Sequence, residues 1–273
     1  MTTRTIDGRT VCITGASSGI GRAVAEHLGG LGAHVFLMGR TAEPMEESAE
    51  TIRAAGGQAT TSTFDITDSE ALQQWIQGAA DATGRLDVLV NNAGFGDMGS
   101  IIDGDPDMWK GMLDVNVLAL AVGAQAAVKA MRSSGSDGNI INISSTASVR
   151  RDSGVYGATK HAVNCINGTL RAELEDDPIR VTAILPGVFA TNFTRNVDRA
   201  MVEGLAAMAG VTTPLEFDDE GRLPQEQIES LQQGMTTAVG NVENIARAVE
   251  YVISQPIELC IEELIIRPQK SLF

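Results

Sequence analysis

The sequence predicts a doubly wound α/β fold, a parallel sheet covered by helices on both faces. Three observations predict it. Strand and helix patterns alternate from the start of the 273-residue chain. The short strand segments read as continuously apolar, not alternating, as expected when both faces of a sheet are buried. A glycine-rich turn joins the first strand to the first helix, at the edge where such folds bind ligands.

Thr10–Thr14 reads as the first strand, Ile20–Leu31 as a helix and His34–Met38 as the second strand. Met45–Ala55 follows as a helix, Ala59–Phe64 as a strand, Ser69–Thr83 as a helix and Asp87–Val90 as a short buried strand. A long helix near Met108–Arg132 precedes a strand at Asn139–Ser144, a helix at Tyr156–Asp176 and a strand at Arg180–Leu185. A helix at Val242–Ile253 and a strand at Glu263–Ile266 close the series. Gly32, Gly56-Gly57, Gly84 and Gly138 punctuate the joints. No linker or repeat divides the pattern, so residues 1–273 are expected to form one domain. The segment 188–240 breaks the alternation with short helical patches and the acidic turn Asp218-Asp219-Glu220. It follows the sixth strand at the ligand-binding edge, where long excursions serve as lids. Phe189, Phe193, Met201, Leu205, Met208 and Met235 could line an apolar pocket there, and Gly204, Gly210, Gly221 and Gly234 could be joints.

Hydrophobic residues make up 43% and charged residues 20%, enough apolar material for a buried core. A net charge of −15 repels nucleic acid and anionic lipid. Cys12, Cys165 and Cys260 are widely spaced and odd in number, which fits a reducing cytoplasm and no disulfide framework. The start of the chain is polar, without the apolar stretch of a signal peptide. The longest apolar run, 117–128, is interrupted by Gln125 and is shorter than the roughly 20 residues that span a bilayer. No Cys/His/Asp cluster has metal-ligand spacing, so no metal is expected.

The turn reads Thr14-Gly15-Ala16-Ser17-Ser18-Gly19-Ile20-Gly21. Its glycines let the backbone approach a pyrophosphate, and the amino end of the following helix offers N–H groups and a positive dipole. The spacing is Gly-x-x-x-Gly-x-Gly, not the better-known Gly-x-Gly-x-x-Gly of dinucleotide-binding folds. An acidic residue closing the second strand would accept the ribose hydroxyls of NAD. Here Gly39 stands in that place, followed by Arg40 and Thr41. A guanidinium beside the ribose favours a 2′-phosphate, so NADP(H) is expected, with NAD possible.

Tyr156 and Lys160 are four apart and share a helix face. A phenol has an ordinary pKa of roughly 10. A neighbouring ammonium and an oxidised nicotinamide would draw it towards neutrality and make it a usable acid or base. Upstream, the paired serines Ser144-Ser145 end a strand at the ligand edge, where a hydroxyl can hold a substrate oxygen. Asn116, a polar amide in an apolar helical stretch, needs a backbone partner or a bound water.

Read together and in order, Thr14-Gly15-x-x-x-Gly19-x-Gly21, Asp65, Asn91-Asn92-Ala93-Gly94, Asn116, Ser145, Tyr156-x-x-x-Lys160 and Pro186-Gly187-x-x-x-Thr191 span nearly the whole chain. This series resembles the short-chain dehydrogenase/reductase family. The resemblance implies a seven-stranded parallel sheet and reversible alcohol/carbonyl chemistry with a nicotinamide cofactor, as in a carbonyl reductase. It implies that Tyr156 is the general acid/base, that Ser145 orients the substrate oxygen, and that Lys160 lowers the tyrosine pKa and binds the nicotinamide ribose. Asn116 would hold a water in the proton relay. Gly15, Ser17, Ser18, Gly19, Ile20, Gly21, Arg40 and Thr41 would hold the phosphates and the adenosine ribose. Asp65 and Ile66 would flank the adenine, and Asn92, Ala93 and Gly94 would line the cleft. Pro186, Gly187, Val188 and Thr191 would hold the carboxamide. One departure stands out: the 11-residue step from Ser145 to Tyr156 is shorter than the family's usual spacing, which leaves Ser144 as an alternative to the preferred Ser145.

The loop in that gap carries Arg150-Arg151, either a solvated pair or a site for a substrate carboxylate or phosphate. The long helices carry small positions (Ala119, Ala121, Gly123, Ala124, Ala162, Gly168) that permit close pairing into a homodimer or homotetramer. Two other functions fit the same series. A carrier-linked 3-oxoacyl reductase would need a basic docking face on this acidic chain, and a non-catalytic dinucleotide sensor would be expected to have lost part of the tetrad Asn116, Ser145, Tyr156 and Lys160, all of which are present.

Overall fold

The computed structural model describes residues 4–97, 99–189, 191, 199–208, 214–217, 223–234 and 238–270. Its centre is a seven-stranded, all-parallel sheet in the order β3-β2-β1-β4-β5-β6-β7. The strands are β1 (Thr10–Thr14), β2 (His34–Gly39), β3 (Gln58–Thr63), β4 (Val88–Asn91), β5 (Gly138–Ile143), β6 (Ile179–Pro186) and β7 (Glu263–Ile266). The order reverses between β1 and β4, which opens a crevice at their carboxyl ends.

Successive residues of the central strands feed two separate cores. Val11 and Ile13 of β1, Val88 and Val90 of β4 and Ile141 of β5 pack on one face, beneath α1 (Gly19–Gly30) and α9 (Glu243–Ile253). Cys12, Leu89, Ile140 and Val181 pack on the other, beneath α3 (Ser69–Thr83) and α5 (Leu120–Ser134). Both faces are apolar because both are covered, and emptying one such position, as in Leu89→Ala, costs about 2–5 kcal/mol. The continuous apolar reading fails at the two edges. β3, with the sequence Gln-Ala-Thr-Thr-Ser-Thr, and β7 alternate between half-buried and exposed positions, because each has a neighbour on one side only.

The remaining helices are α2 (Ala42–Ala54), α4 (Pro106–Leu113), α6 (Gly154–Glu173), α7 (Arg199–Met208) and α8 (Gln225–Gly234). The helix expected near Met108–Arg132 is longer and is interrupted: α4 and α5 are joined by a π-helical turn, Asp114–Ala119. The whole run, Pro106–Ser134, is long and apolar enough to cross a membrane by length and composition, contrary to the shorter apolar stretch read from the sequence. Half of its most apolar 18 residues are buried in the protein, where α5 lies against α3 and the sheet.

A chain of buried amides ties the central strands to α6. Asn91 Nδ2 donates to Asn142 Oδ1 at 2.8 Å, and Asn142 Nδ2 donates to Asn167 Oδ1 at 2.5 Å. Asn91 and Asn142 are register partners on β4 and β5. A slip of either strand would leave buried amides unpaired, so these contacts fix the relative positions of the elements that carry the site.

The excursion 188–240 leaves and returns at one point. Phe189 forms a parallel bridge with Gly240, and the Gly240 N–H donates to the Val188 carbonyl at 2.9 Å. Phe189 is buried in the core beneath α1 and α9, so it is not the pocket wall expected from its place in the sequence. Val202, Leu223 and Ile228 form a small core within the excursion. Phe193, Met235, Gly210, Gly221 and the acidic turn Asp218–Glu220 lie outside the described residues, as do the side chains of Met201, Leu205 and Met208.

Candidate active site

The loop between β1 and α1 is braced from the side by the end of β4. The Thr14 hydroxyl accepts from the N–H groups of Asn92 and Ala93, both at 3.0 Å, and Asn92 Nδ2 donates to the carbonyls of Thr14 and Gly15, both at 3.0 Å. This packing explains two of the glycines. A Cβ on Gly15, whose φ is +65°, would stand 2.8 Å from the Ala93 Cα, and one on Gly21 would overlap the Asn92 amide and the Gly15 carbonyl. No side chain caps the first turn of α1, where Ser18 is the capping residue. The turn therefore presents N–H groups to an anion. Thr191 reaches over the same loop, its methyl 3.1 Å from where a Gly19 Cβ would lie.

At the end of β2, Gly39 packs against Met45 and Ser17; a Cβ there would meet Met45 Sδ at 2.8 Å. The site is too tight for a carboxylate unless Met45 moves. Arg40 is exposed beside it, with Thr41 leading into α2. Asp65 is held below the usual carboxylate range, first by the Thr67 backbone N–H, then by the Thr67 hydroxyl and the positive charge of Arg40. Arg40 and Asp65 thus face one region, and Ile66 beside them is buried. At the end of β6, the Gly187 N–H donates to the Ile266 carbonyl at 2.8 Å, which fixes Pro186 and Gly187 at the sheet edge, with Val188 half-buried after them. These features fit a dinucleotide laid across the carboxyl ends of the strands.

Asn116 lies in the π-helical turn, not in a regular helix. The extra backbone residue swings its side chain inward, where it is buried. Its amide is held on both sides: the Phe95 N–H donates to Oδ1 at 3.1 Å, and Nδ2 donates to the Phe95 carbonyl at 2.8 Å and to Thr159 Oγ1 at 3.1 Å. The backbone partner expected from the sequence is therefore Phe95.

The two serines after β5 part company. The Ser144 hydroxyl turns into the protein and donates to Asn164 Oδ1 at 2.8 Å. Ser145 caps the short 3-10 turn Thr146–Val149, its Oγ accepting from the Ala147 N–H at 3.1 Å, and its side chain is hydrogen-bonded to the Tyr156 hydroxyl. The geometry therefore joins Ser145, not Ser144, to the tyrosine. The short gap between them is closed by that turn and by Gly154, which starts α6 at φ +57° close to the Gly99 carbonyl.

Tyr156 and Lys160 lie together on the buried side of α6. The Lys160 ammonium is 5.9 Å from the tyrosine ring centroid and donates to the Ile143 carbonyl at 2.9 Å. Burial pushes the Tyr156 phenol up to about 12, opposed by the hydrogen bond from Ser145, and brings Lys160 down to about 8. The lowered tyrosine expected beside an ammonium and an oxidised nicotinamide is thus not a property of the protein alone, where desolvation dominates and the Ser145 hydrogen bond opposes it. Met112, Ala147, Phe95, Met108, Trp109 and Val155 pack around Tyr156 and create that apolar setting. Arg150 is bound to Asp152 at 2.9 Å on the surface, which favours the solvated reading of the Arg150-Arg151 pair.

The sequence model of short chain dehydrogenases matches residues 9–202. This chain belongs to that family. It is 31% identical over 272 residues to human dehydrogenase/reductase SDR family member 11, covering 96% of this chain and 95% of that one. An uncharacterised oxidoreductase of Methylorubrum extorquens is 35% identical over 210 residues, 76% of this chain and 84% of its own. Among solved structures, a short chain dehydrogenase from Burkholderia cenocepacia in complex with NADP superposes with a TM-score of 0.77 at 27% identity, covering 97% of this chain and 98% of that one. The chain is thus an NAD(P)-dependent oxidoreductase of the short-chain dehydrogenase/reductase family.

Thr159, Asn164 and Ser148 bond to the candidate residues without having been singled out in the sequence. Only Asn164, between Val163 and Cys165, carries the signal that drew attention to Asn116, a polar amide inside an apolar stretch.

Proposed function

We propose that this short-chain dehydrogenase interconverts a ketone and a secondary alcohol on a small molecule, with NADP(H) as its preferred cofactor. The observation that carries the reading is the hydrogen bond between Tyr156 and Ser145 at the carboxyl end of β5, with Lys160 beside them. The cofactor, when bound, donates or accepts the hydride. Ser145 Oγ accepts from Ala147 N–H, so its own proton is not used by the backbone; it meets Tyr156 in the protein alone and would turn to a substrate oxygen when one binds. Tyr156 gives that oxygen its proton in reduction and removes it in oxidation. The Lys160 charge would stabilise the phenolate when it forms, and its ammonium would bind the nicotinamide ribose. Asn116 holds the Phe95 backbone at the cleft, leaves little room for a side chain at Gly94, and would position a relay water through its main chain.

Gly15, Ser17, Ser18, Gly19, Ile20 and Gly21 would cradle the diphosphate, and Arg40 with Thr41 the 2′-phosphate. Asp65 and Ile66 would take the adenine, Asn92, Ala93 and Gly94 the cleft wall, and Pro186, Gly187, Val188 and Thr191 the carboxamide. Segment 188–240, whose ends meet at Phe189 and Gly240, would cover the bound substrate. Ala119, Gly123 and Ala124, small positions expected to pair helices, are buried within the subunit, so a dimer or tetramer contact along the α4–α5 run would instead use the exposed Leu113 and Leu118. Sedimentation showing only monomer would remove that last assignment.

A panel of ketones and secondary alcohols, followed by nicotinamide absorbance with each cofactor, tests the activity. Tyr156→Phe should keep cofactor binding and lose about 10²–10⁴-fold in turnover. Substantial turnover by that variant would overturn the assignment of Tyr156.

A further inference from the structure

Tyr156, Lys160 and Asn164 are spaced four apart along α6 and form one stripe facing the end of β5. The first two belong to the reading above. Asn164 has both ends of its amide engaged. Oδ1 accepts from the Ser144 hydroxyl at 2.8 Å, and Nδ2 donates to Ser148 Oγ at 3.0 Å. The Ser148 hydroxyl then donates to the Ser145 carbonyl at 2.6 Å, alongside the Ser148 N–H at 3.0 Å. Ser144 and Ser148 are both buried.

We infer that Asn164 is a positioning residue that sets the aim of the Ser145 hydroxyl by clamping the peptide on either side of it.

The physical argument turns on donors and acceptors. A serine hydroxyl rotates freely unless its neighbours fix it, and Ser148 has one proton to give. Because Asn164 donates to the Ser148 oxygen, the Ser148 proton is committed to the Ser145 carbonyl. On the other side, the Asn164 oxygen holds Ser144, the last residue before Ser145. The amide of asparagine supplies one acceptor and one donor in a fixed plane, which is the pair this arrangement needs. An aspartate would have two acceptors and no donor for Ser148, and a leucine would have neither. With both flanks fixed and its Oγ accepting from Ala147, Ser145 directs its proton towards Tyr156 and the substrate oxygen. Loosening the clamp leaves the tetrad intact in composition while misaligning one member, and small misplacements of reacting groups cost large factors in rate.

The inference rests on the proposed roles of Ser145 and Tyr156, so the experiment includes both. Reduction of 9,10-phenanthrenequinone by NADPH is followed for the full-length protein and for Asn164→Leu, Ser148→Ala, Ser145→Ala, Tyr156→Phe and the double variant Asn164→Leu/Ser145→Ala. NADPH affinity is measured for each by fluorescence. Asn164→Leu and Ser148→Ala should each lose about tenfold in kcat, with NADPH affinity within about twofold of the parent. The double variant should be no slower than Ser145→Ala alone, because the clamp acts only through that hydroxyl. A purely packing role would instead give additive losses. A readout independent of any ketone uses the small number of tyrosines: in a Tyr251→Phe background the near-ultraviolet phenolate signal reports Tyr156 alone. With NADP⁺ bound, Asn164→Leu should move its midpoint upward, since the bond from Ser145 is what opposes the rise. Additive losses in the double variant, unchanged kcat in Asn164→Leu, or an unmoved midpoint would each overturn the inference. If Tyr156→Phe is inactive while Asn164→Leu behaves as the parent, only this inference falls. If Tyr156→Phe is active, the reading of the site falls with it.

Discussion

The Lys160 ammonium stands 5.9 Å from the Tyr156 ring centroid and is tied to the carbonyl of Ile143, the last residue of β5. Burial drives both groups towards their neutral forms, the phenol to about 12 and the amine to about 8. At pH 7 the pair is therefore a neutral phenol beside a charged ammonium. The resting site holds its proton firmly and needs additional positive charge before the phenol can release it.

The phenol's state can be read directly. The chain has two tyrosines, so a Tyr251→Phe variant reports Tyr156 alone. In the cofactor-free protein its phenolate signal should develop towards pH 12, well above the ordinary value of about 10. Adding NADP⁺ should lower the midpoint through the positive charge of the oxidised ring. Because the folded-state value is raised, the stabilising contribution of this phenol is complete below pH 10 and is lost as pH rises through about 12. A midpoint at or below 10 without cofactor would contradict the dominance of burial.

Lys160 has the opposite sign. Its folded-state value lies below its ordinary 10.5, so the contribution is complete above that pH and is lost as pH falls through about 8. At pH 7 the native state bears the full cost of a buried ammonium, on the order of 3 kcal/mol. Lys160→Met should thus raise the melting temperature of the cofactor-free protein at pH 7 and leave it nearly unchanged at pH 10.5, while turnover collapses. A lower melting temperature at pH 7 would show that the bond to the Ile143 carbonyl outweighs desolvation.

Cofactor choice is argued from the end of β2. Gly39 is too closely packed against Met45 for an acidic side chain, and Arg40 is exposed beside Asp65. Arg40→Asp removes a cation and adds an anion where a 2′-phosphate would lie. The ratio of kcat/KM for NADPH over NADH should fall by at least tenfold, with the melting temperature within a degree or two, as for exposed positions generally. An unchanged ratio would return Arg40 to the status of a solvated loop residue.

Much of this architecture was legible in the sequence because both sheet faces are covered: central strands such as Val11-Cys12-Ile13 send apolar residues to each side in turn. The edge strand, read as Ala59–Phe64 and found at Gln58–Thr63, departs from the continuous apolar pattern because it has a neighbour on one side only. The family resemblance named Asn116, Ser145, Tyr156 and Lys160 as candidates, but their setting could not be read from the chain. Periodicity carries no sign of a π-helical turn, which adds one backbone residue and turns Asn116 inward. The direction of the Tyr156 shift depends on Met112, Phe95 and Trp109, which reach it from another element. Phe189 looked suited to a pocket because of where it falls in the chain; only the bridge to Gly240 reveals it as core.

That bridge yields the last prediction. Gly240 lies against the Phe189 ring, where an added Cβ would stand 2.5 Å from the ring edge. An aromatic ring buried beneath α1 and α9 cannot swing aside as a flexible chain end could. Gly240→Ala should therefore cost about 1–3 kcal/mol by overpacking. The damage falls where segment 188–240 leaves and re-enters the sheet, so it should exceed that of Gly204→Ala, an exposed helical glycine with open space around it. Gly204→Ala should be neutral or slightly stabilising, because alanine is the better helix former. If the segment covers bound substrate, Gly240→Ala should also raise KM for the ketone while leaving NADPH affinity close to that of the parent. Thermal melts of the two variants beside the parent, with steady-state kinetics at a permissive temperature, separate the effects. Equal melting temperatures for Gly240→Ala and the parent would mean that the Phe189–Gly240 contact is loose enough to give way, and the two ends of the segment would then not be clamped.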